Sequence, residues 1–422
     1  MTGTVTGRGA TGATATGTTA TGATATGTGT TASPAGTGAT GTGAPRAART
    51  AARPVVRPWR SRPAFRAALL APGGVAMVLG LDAALGLLGL PQLLGPQLGL
   101  DRLPAVHGPL MVLGFVGTVI ALERAVALGL AWGYAAPAVS GLAVVALVSS
   151  LPLAVGQGLL VLAQALTLAV YGRLHARQPA PAVTIEVLGA VMALGAAILW
   201  AGGVPVPSLV PWLTGYLVLT IFGERLELAR VAVLSPGAGR SATALALLVL
   251  GAAALALLVP GAGHTLTGLA LLGVAAWLAR RDVARRTVTG VGLPRFVAVS
   301  LLAGYAWLAV GGAIWALRGE VVEGPAYDAV LHAVMLGFVL PMIMAHAPVI
   351  LPAVLRRPLP YHRFMYAPVV LLHASLVLRL AVGDARGLTW AVQVGGVVNI
   401  VAVLAFVVVA AWSAVRGTER RA

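Results

Sequence analysis

Residues 329–352 read AVLHAVMLGFVLPMIMAHAPVILP, and this stretch decides the fold. It contains no Asp, Glu, Lys or Arg and is long enough to cross a bilayer, which takes about 20 apolar residues as a helix. Similar runs recur from Ala67 to Val415. Backbone polar groups in hydrocarbon must be satisfied within the segment, and barrel strands would alternate rather than run continuously. The sequence therefore predicts an all-α polytopic membrane protein in a lipid bilayer.

The apolar runs predict about twelve transmembrane helices within a membrane domain at 63–415. They lie at 67–90, 104–126, 131–151, 153–173, 183–203, 208–229, 241–259, 263–280, 295–317, 327–352, 363–383 and 388–414. Residues 1–62 are rich in Thr, Gly and Ala and have few large apolar groups, so we expect a disordered tail. Residues 416–422 form a short basic tail.

The basic residues give the expected orientation. The chain has 29 Lys and Arg, all of them Arg, and a net charge of +17. With the N-terminus inside, only Arg102, Arg318, Arg379 and Arg386 fall on the outer side. This asymmetry follows the positive-inside rule. It predicts that both termini are cytoplasmic in the inner (plasma) membrane, and it accounts for the positive charge without nucleic acid as a partner.

Three of the runs share one pattern, in which a Gly is followed by an aromatic residue and, nine positions after the Gly, by an ionisable residue. The ionisable residues are Glu123, Glu224 and His346. They fall in every fourth helix, which predicts three four-helix groups in a pseudo-threefold arrangement around a shared site. Arg124 and Arg225 follow the two acids directly. The three positions are compatible with a metal site, with a proton path, or with ion pairs that fix the helix ends.

His107 and His332 begin the second and tenth helices at the same face of the membrane. Imidazole is the usual axial ligand of haem b, and two imidazoles on facing helices can bind the iron from both sides. Nearby Gly residues would let a flat macrocycle approach the backbone. The alternative is hydrogen bonding at the helix ends.

Two more histidines lie deep in the apolar runs. His346 is about 40° around and about 21 Å along the same helix from His332. His373 lies in the middle of the eleventh helix, where it either partners His346 or is a satisfied core residue. Pro341, Pro348 and Pro352 indicate a helix shaped for a site.

The absence of cysteine excludes disulfides, thiolate metal sites and covalently attached haem. Met residues near His346 offer thioether sulfurs as ligands, so copper is a further candidate metal.

The segment His-x-x-Met-Leu-Gly-Phe at 332–338 and the related segment at 107–115 resemble the NnrS family. These are twelve-span membrane proteins that contain haem and copper and are linked to nitric oxide tolerance. The layout, with functional residues on helices 2, 6 and 10, is also similar to the catalytic subunit of haem-copper oxidases. The resemblance implies haem ligation by His107 and His332, an electron donor as partner, and a role in nitrogen-oxide response or respiratory electron transfer.

The chain departs from the oxidase pattern. Its sixth helix has no His, and its seventh has no His pair. Oxygen or nitric oxide reduction at a two-metal centre is therefore not supported, and an oxidoreductase activity remains open. The alternatives are a secondary transporter with intramembrane ionisable residues and a structural or assembly protein without cofactor. Transporter repeats usually form two halves, often inverted, whereas the three repeats here share one orientation.

Overall fold

The structure, a computed structural model, describes residues 62–230 and 237–419. These residues form helices and connecting loops and contain no strand. Twelve helices are long and apolar enough to cross a membrane. In chain order they are α1 Pro63–Leu87, α2 Leu103–Leu128, α3 Ala131–Val148, α4 Leu153–Arg177, α5 Pro181–Ala201, α6 Val206–Ala229, α7 Ala238–Leu258, α8 Pro260–Arg281, α9 Gly292–Arg318, α10 Gly324–Leu355, α11 Arg363–Arg386 and α12 Thr389–Gly417.

The all-helical class and the twelve long apolar helices are confirmed. Several helices extend beyond the apolar runs, because polar residues near a membrane surface can remain helical. For example, α4 continues through Arg173 and His175 to Arg177. The helical backbone of α12 continues to Glu419, past the boundary expected at 415. The predicted tail at 1–62 lies outside the described residues except for Arg62.

Local sequence signals account for several helix ends. Pro63, Pro181 and Pro260 each stand at the start of a helix. The first N–H groups of a helix have no intrahelical acceptor, so Pro removes no hydrogen bond there. At the other end of α2, Gly129 has a φ of 70°, a left-handed conformation that Gly adopts without a Cβ penalty.

Helices α2, α6 and α10 are the most enclosed of the twelve. In the most apolar 18-residue segment of these three helices, 72%, 78% and 67% of the residues are buried. The corresponding share is 56% or less in the other nine helices. Their large fully buried side chains include Leu113, Tyr216 and Phe338. These three helices carry the repeated Gly-aromatic pattern, so the pattern lies in the interior of the bundle.

Two of the three interior helices widen into π-helix at equivalent positions. In α2 the π-helix covers Leu110–Val116, and in α10 it covers Ala333–Val339. Each begins four residues before the Gly of the repeated pattern and ends two residues after it. A π-helical turn inserts an extra residue and changes the direction of the preceding side chains, and such turns are frequent at functional sites. His107 and His332 lie just before them.

The buried Asp82 of α1 holds the loop between α1 and α2. Its Oδ1 accepts hydrogen bonds from the backbone N–H groups of Leu93 at 2.6 Å and Leu94 at 3.0 Å, and its Oδ2 accepts from Gly95 N–H at 2.7 Å. One carboxylate thus satisfies three consecutive amides, which fixes this loop over the end of the bundle at which α2 begins.

Replacing Asp82 by Ala should destabilise the protein by about 1.5–3 kcal/mol, because hydrogen bonds to a charged acceptor are lost and the amides remain partly buried. Asp82→Asn should cost less, since the amide oxygen still accepts. The midpoint of thermal unfolding in detergent, followed by tryptophan fluorescence, measures both. Equal midpoints for Asp82→Ala and the unmodified protein would show that the loop does not depend on this carboxylate.

Candidate functional site

Glu123, Glu224 and His346 converge on one cavity. The cavity has a volume of about 280 Å³ and is lined by residues of α1, α2, α6, α10 and α12. Apart from these three residues and Thr220, its wall consists of apolar side chains and one glycine. Thr220 donates its hydroxyl hydrogen to the Tyr216 carbonyl at 2.8 Å, so it offers the cavity no donor. The repeated spacing in the sequence therefore identifies the polar end of a single apolar cavity.

Arg124 lies among three carboxylates at this polar end. Its Nη2 donates to Glu123 Oε1 at 3.0 Å and to Glu224 Oε1 at 2.7 Å, and its Nη1 donates to Glu186 Oε2 at 3.2 Å. The guanidinium carbon also lies 5.7 Å from the centroid of the Tyr171 ring. We call Arg124, Glu123, Glu186 and Glu224 the Arg124 cluster. When all four are ionised, three negative charges surround one positive charge, leaving two negative charges in excess.

The Arg124 cluster and two tyrosines near it retain unused polar atoms. Among the described residues, Glu186 Oε1, the Arg124 Nε and the hydroxyls of Tyr171 and Tyr216 are buried without a hydrogen-bond partner. Each of these atoms could still accept or donate. The cluster therefore has capacity for further hydrogen bonds or protons beyond those its own side chains supply.

Arg225 belongs to a second network beside the first. Its Nε and Nη2 form a two-pronged ion pair with Asp282 Oδ2 and Oδ1, both at 2.7 Å. Tyr305 donates its hydroxyl hydrogen to Asp282 Oδ2 at 2.7 Å. Burial acts to raise the pKa of Asp282, but the hydrogen bonds and charge of Arg225 outweigh it and hold that pKa below its usual value. This network is neutral, with one carboxylate matched to one guanidinium.

His346 connects the second network to the cavity. Its Nδ1 lies 2.7 Å from the Met342 carbonyl oxygen, which can only accept, so Nδ1 carries the hydrogen. Its Nε2 therefore has a lone pair, and it lies 3.3 Å from Arg225 Nη1. Glu224, in contrast, is paired with Arg124 of α2 rather than with the adjacent Arg225. Both acids thus form ion pairs with Arg124, which is adjacent to Glu123 in the chain and belongs to another helix than Glu224.

The expectation of a metal between Glu123, Glu224 and His346 stays a prediction. In residues 62–230 and 237–419, no three His, Asp or Glu side chains stand close enough together to hold a metal ion. One oxygen of each Glu is bonded to Arg124, and the imidazole nitrogen faces Arg225. The arrangement suits the binding of hydrogen-bond donors or positive charge.

The second candidate pair, His107 and His332, lies toward the opposite ends of α2 and α10. The two imidazoles are within electrostatic range of each other, and Arg379 is within range of His107. His107 Nδ1 lies 2.9 Å from the Gly80 carbonyl oxygen. His332 Nδ1 lies 2.9 Å from the Asp328 carbonyl oxygen and 3.1 Å from Asp328 Oδ1. Because these partners accept, both Nδ1 atoms carry hydrogen, and in the neutral imidazoles both Nε2 atoms keep a lone pair.

The Nδ1 hydrogen bonds of His107 and His332 are of the kind that a haem ligand makes. Ligating histidines characteristically donate Nδ1–H to a carbonyl or carboxylate and bind metal through Nε2. Asp328 is held in turn by Arg379, which donates to its two carboxylate oxygens at 2.9 and 2.7 Å. The glycines of the repeated pattern do not form a cradle for a macrocycle, however. A Cβ at Gly114 would lie 3.2 Å from Val144 of α3, and one at Gly337 would lie 2.5 Å from Trp307 of α9.

His373 is only half satisfied, because its Nδ1 has a partner and its Nε2 is buried without one among the described residues. Trp307 Nε1 donates to His373 Nδ1 at 3.0 Å, which joins α9 to α11. The hydrogen bond of His346 Nε2 is with Arg225, so His373 is not its hydrogen-bond partner.

Sequence reasoning missed Asp282, Tyr305 and Asp328 as members of these networks. Asp282 follows two Arg residues and resembles an ordinary charged loop residue. Asp328 was detectable in principle, because it stands four residues before His332 and such pairs lie on one helix face.

Comparisons with known proteins identify a family but no characterised relative. No curated protein and no solved structure matches the chain. One family model matches residues 66–415, which include nearly all of α1 to α12. The chain belongs to this family, whose description is "Domain of unknown function (DUF8744)".

Proposed function

We propose that this protein is an integral membrane haem b protein with His107 and His332 as axial ligands, similar to NnrS. Its role would be in nitric oxide or nitrogen-oxide response or in respiratory electron transfer. The observation that carries the proposal is that His107 and His332, which lie within electrostatic range of each other, both anchor Nδ1–H to oxygen acceptors. Both Nε2 lone pairs are then available to iron. Copper is an additional candidate, on the resemblance and on the Met residues near His346.

In this proposal the haem would supply one-electron redox chemistry or binding of a diatomic gas. The chain would control it through its own residues. Asp328 orients His332 by accepting from its Nδ1–H, as a carboxylate behind a ligating histidine does. Arg379 fixes Asp328 and supplies positive charge near the pair. Gly80 holds the His107 ring in one orientation through its carbonyl oxygen.

The same proposal includes the grouping of the helices, the orientation of the chain in the membrane and the faces at which the two sites lie. The enclosure of α2, α6 and α10 supports three four-helix groups around a pseudo-threefold axis. The Arg distribution supports cytoplasmic termini, with His107 and His332 toward the outer face. Glu123, Glu224 and His346 would then form a polar site near the inner face, where protons could be exchanged.

An absorption spectrum of the purified protein tests the proposal. Protein from cells supplied with a haem precursor should show a Soret band, and reduction with dithionite should sharpen the bands in the visible region. His107→Ala and His332→Ala should each abolish or strongly reduce these bands, because one axial ligand is lost. His362→Ala, a loop histidine, is the matched control and should keep them.

A colourless protein, or bands that persist in both ligand variants at the level of His362→Ala, would contradict haem ligation by this pair. Folding of each variant is checked by its elution as a single species in detergent. A ligand variant that elutes normally and has lost its colour supports the assignment directly.

A second candidate function, secondary transport, is favoured by one observation. The cavity places carboxylates inside an apolar domain, as carrier sites do. Uptake of a substrate into vesicles that depends on Glu123 and Glu224 in a protein without haem would favour this alternative over the first.

A further inference from the structure

We propose that the cavity between α1, α2, α6, α10 and α12 binds a membrane-soluble organic cation, a molecule with an apolar body and a positively charged head. This site is separate from His107 and His332, so the inference goes beyond the haem proposal and does not depend on it. It rests on the shape and lining of the cavity, on the charge at its polar end, and on its position at the surface of the bundle.

The walls fit an apolar body. They are formed mainly by aliphatic side chains, with Met77, Met342 and Met344 and the rings of Phe115 and Phe406. Met side chains adapt to differently shaped apolar partners, and aromatic faces attract cations. Gly74 also lines the cavity, and a Cβ at this position would have no neighbour within 4 Å. The cavity therefore has open space that a ligand can occupy without displacing protein atoms.

The polar end fits a positive head. Arg124 binds one oxygen each of Glu123 and Glu224, and the second oxygen of each has no hydrogen-bond partner among the described residues. These side chains are 21% and 19% exposed, although they lie in the interior of the bundle at the cavity wall. With its three carboxylates ionised, the Arg124 cluster has an excess of negative charge, while the neighbouring Arg225–Asp282 pair is neutral. A cationic head offsets that excess, whereas a neutral or anionic head does not.

The cavity can be reached from the lipid. Val407 of α12 lines it and is 41% exposed, and its neighbour Val408 is 66% exposed on the surface of the bundle. The edge of the cavity at α12 thus meets the hydrocarbon of the bilayer. A molecule that dissolves in the membrane can enter with its apolar body in lipid and its head toward Glu123 and Glu224.

Binding of tetraphenylphosphonium to the full-length protein in lipid nanodiscs tests this inference. Equilibrium dialysis should show saturable binding above that of empty nanodiscs. Tetraphenylborate has the same shape and the opposite charge, so it should not bind saturably. Glu224→Gln should weaken tetraphenylphosphonium binding about tenfold or more, because it removes a negative charge close to the bound cation. Glu320→Gln changes an exposed loop acid in the same way and should leave binding unchanged.

A second pair of variants tests the cavity without altering its charge. Gly74→Leu should fill the space and reduce binding about tenfold or more, with normal elution of the protein. Gly251→Leu introduces the same side chain at another helical glycine with no neighbour within 4 Å, on the exposed face of α7, and should bind as the unmodified protein does. Equal binding of both tetraphenyl ions, or unaltered binding by a normally eluting Gly74→Leu protein, would overturn the inference.

Discussion

Arg124→Gln is expected to be the most destabilising single substitution in the chain. It removes the cation that binds Glu123, Glu186 and Glu224 and leaves three carboxylates in the interior of the bundle. Removing one partner of a buried ion pair costs about 3–5 kcal/mol, and here one cation serves three acids. We therefore expect loss of the monodisperse species in detergent, or a large fall in its thermal midpoint.

The double variant Arg124→Gln with Glu186→Gln separates the charge effect from the loss of packing. Glu186 has a 2% exposed side chain, so neutralising it removes one buried charge that no longer has a counterion. The double variant should be more stable than Arg124→Gln alone. Arg173→Gln, an exposed residue of α4, is the control and should be nearly neutral. A double variant that is less stable than the single one would show that charge balance does not govern this cluster.

Asp282→Ala is expected to have the second largest effect. Arg225 is 5% exposed and would lose both hydrogen bonds of its ion pair, and the Tyr305 hydroxyl would lose its acceptor. We expect a loss of about 3–5 kcal/mol in the free energy of unfolding, since an unpaired buried guanidinium remains. Tyr305→Phe removes only one hydrogen bond and should cost about 1.5–3 kcal/mol. Thermal midpoints in detergent provide the comparison, with the exposed Asp101→Ala as control.

The effect of Asp282 should depend on pH in a defined direction. Its folded-state pKa lies below its unfolded value, so its contribution to stability is fully present above about pH 4. The contribution is lost as the pH falls through the folded pKa. The difference in thermal midpoint between the unmodified protein and Asp282→Ala should thus be constant near neutral pH and shrink in acid. A difference that grows toward acid pH would be inconsistent with a stabilising ionised carboxylate.

The two candidate sites share helices α2 and α10. His332 precedes His346 in α10, and His107 precedes Glu123 in α2, with a π-helical segment between the two residues in each helix. The variants proposed for one site leave the side chains of the other unchanged, so each set serves as a control for the other.

Much of the fold followed from the sequence because a bilayer imposes simple requirements. A helix must be long and apolar to cross it, and this rule located all twelve helices. The repeated nine-residue spacing also predicted that Glu123, Glu224 and His346 would meet, and all three line the cavity. That prediction was possible because equivalent positions on helices of one orientation lie at one depth.

The partners of the charged residues could not be predicted in this way. Arg124 and Glu224 are 100 positions apart, and Arg225 and Asp282 are 57 apart. Nothing local in the sequence indicates that either pair meets. Glu186 stands near the start of α5, and only the packing of the whole bundle brings it to Arg124 of α2.

The sequence by itself determined the all-helical membrane class and the twelve long apolar helices, and it predicted a shared site for the repeated ionisable residues, because hydropathy and helical period are local properties. Only the tertiary structure decided that Glu224 pairs with Arg124 while the adjacent Arg225 pairs with Asp282. Consecutive helical residues point about 100° apart, so each faces a different neighbouring helix. Which charges that neighbour offers is set by packing across the whole bundle.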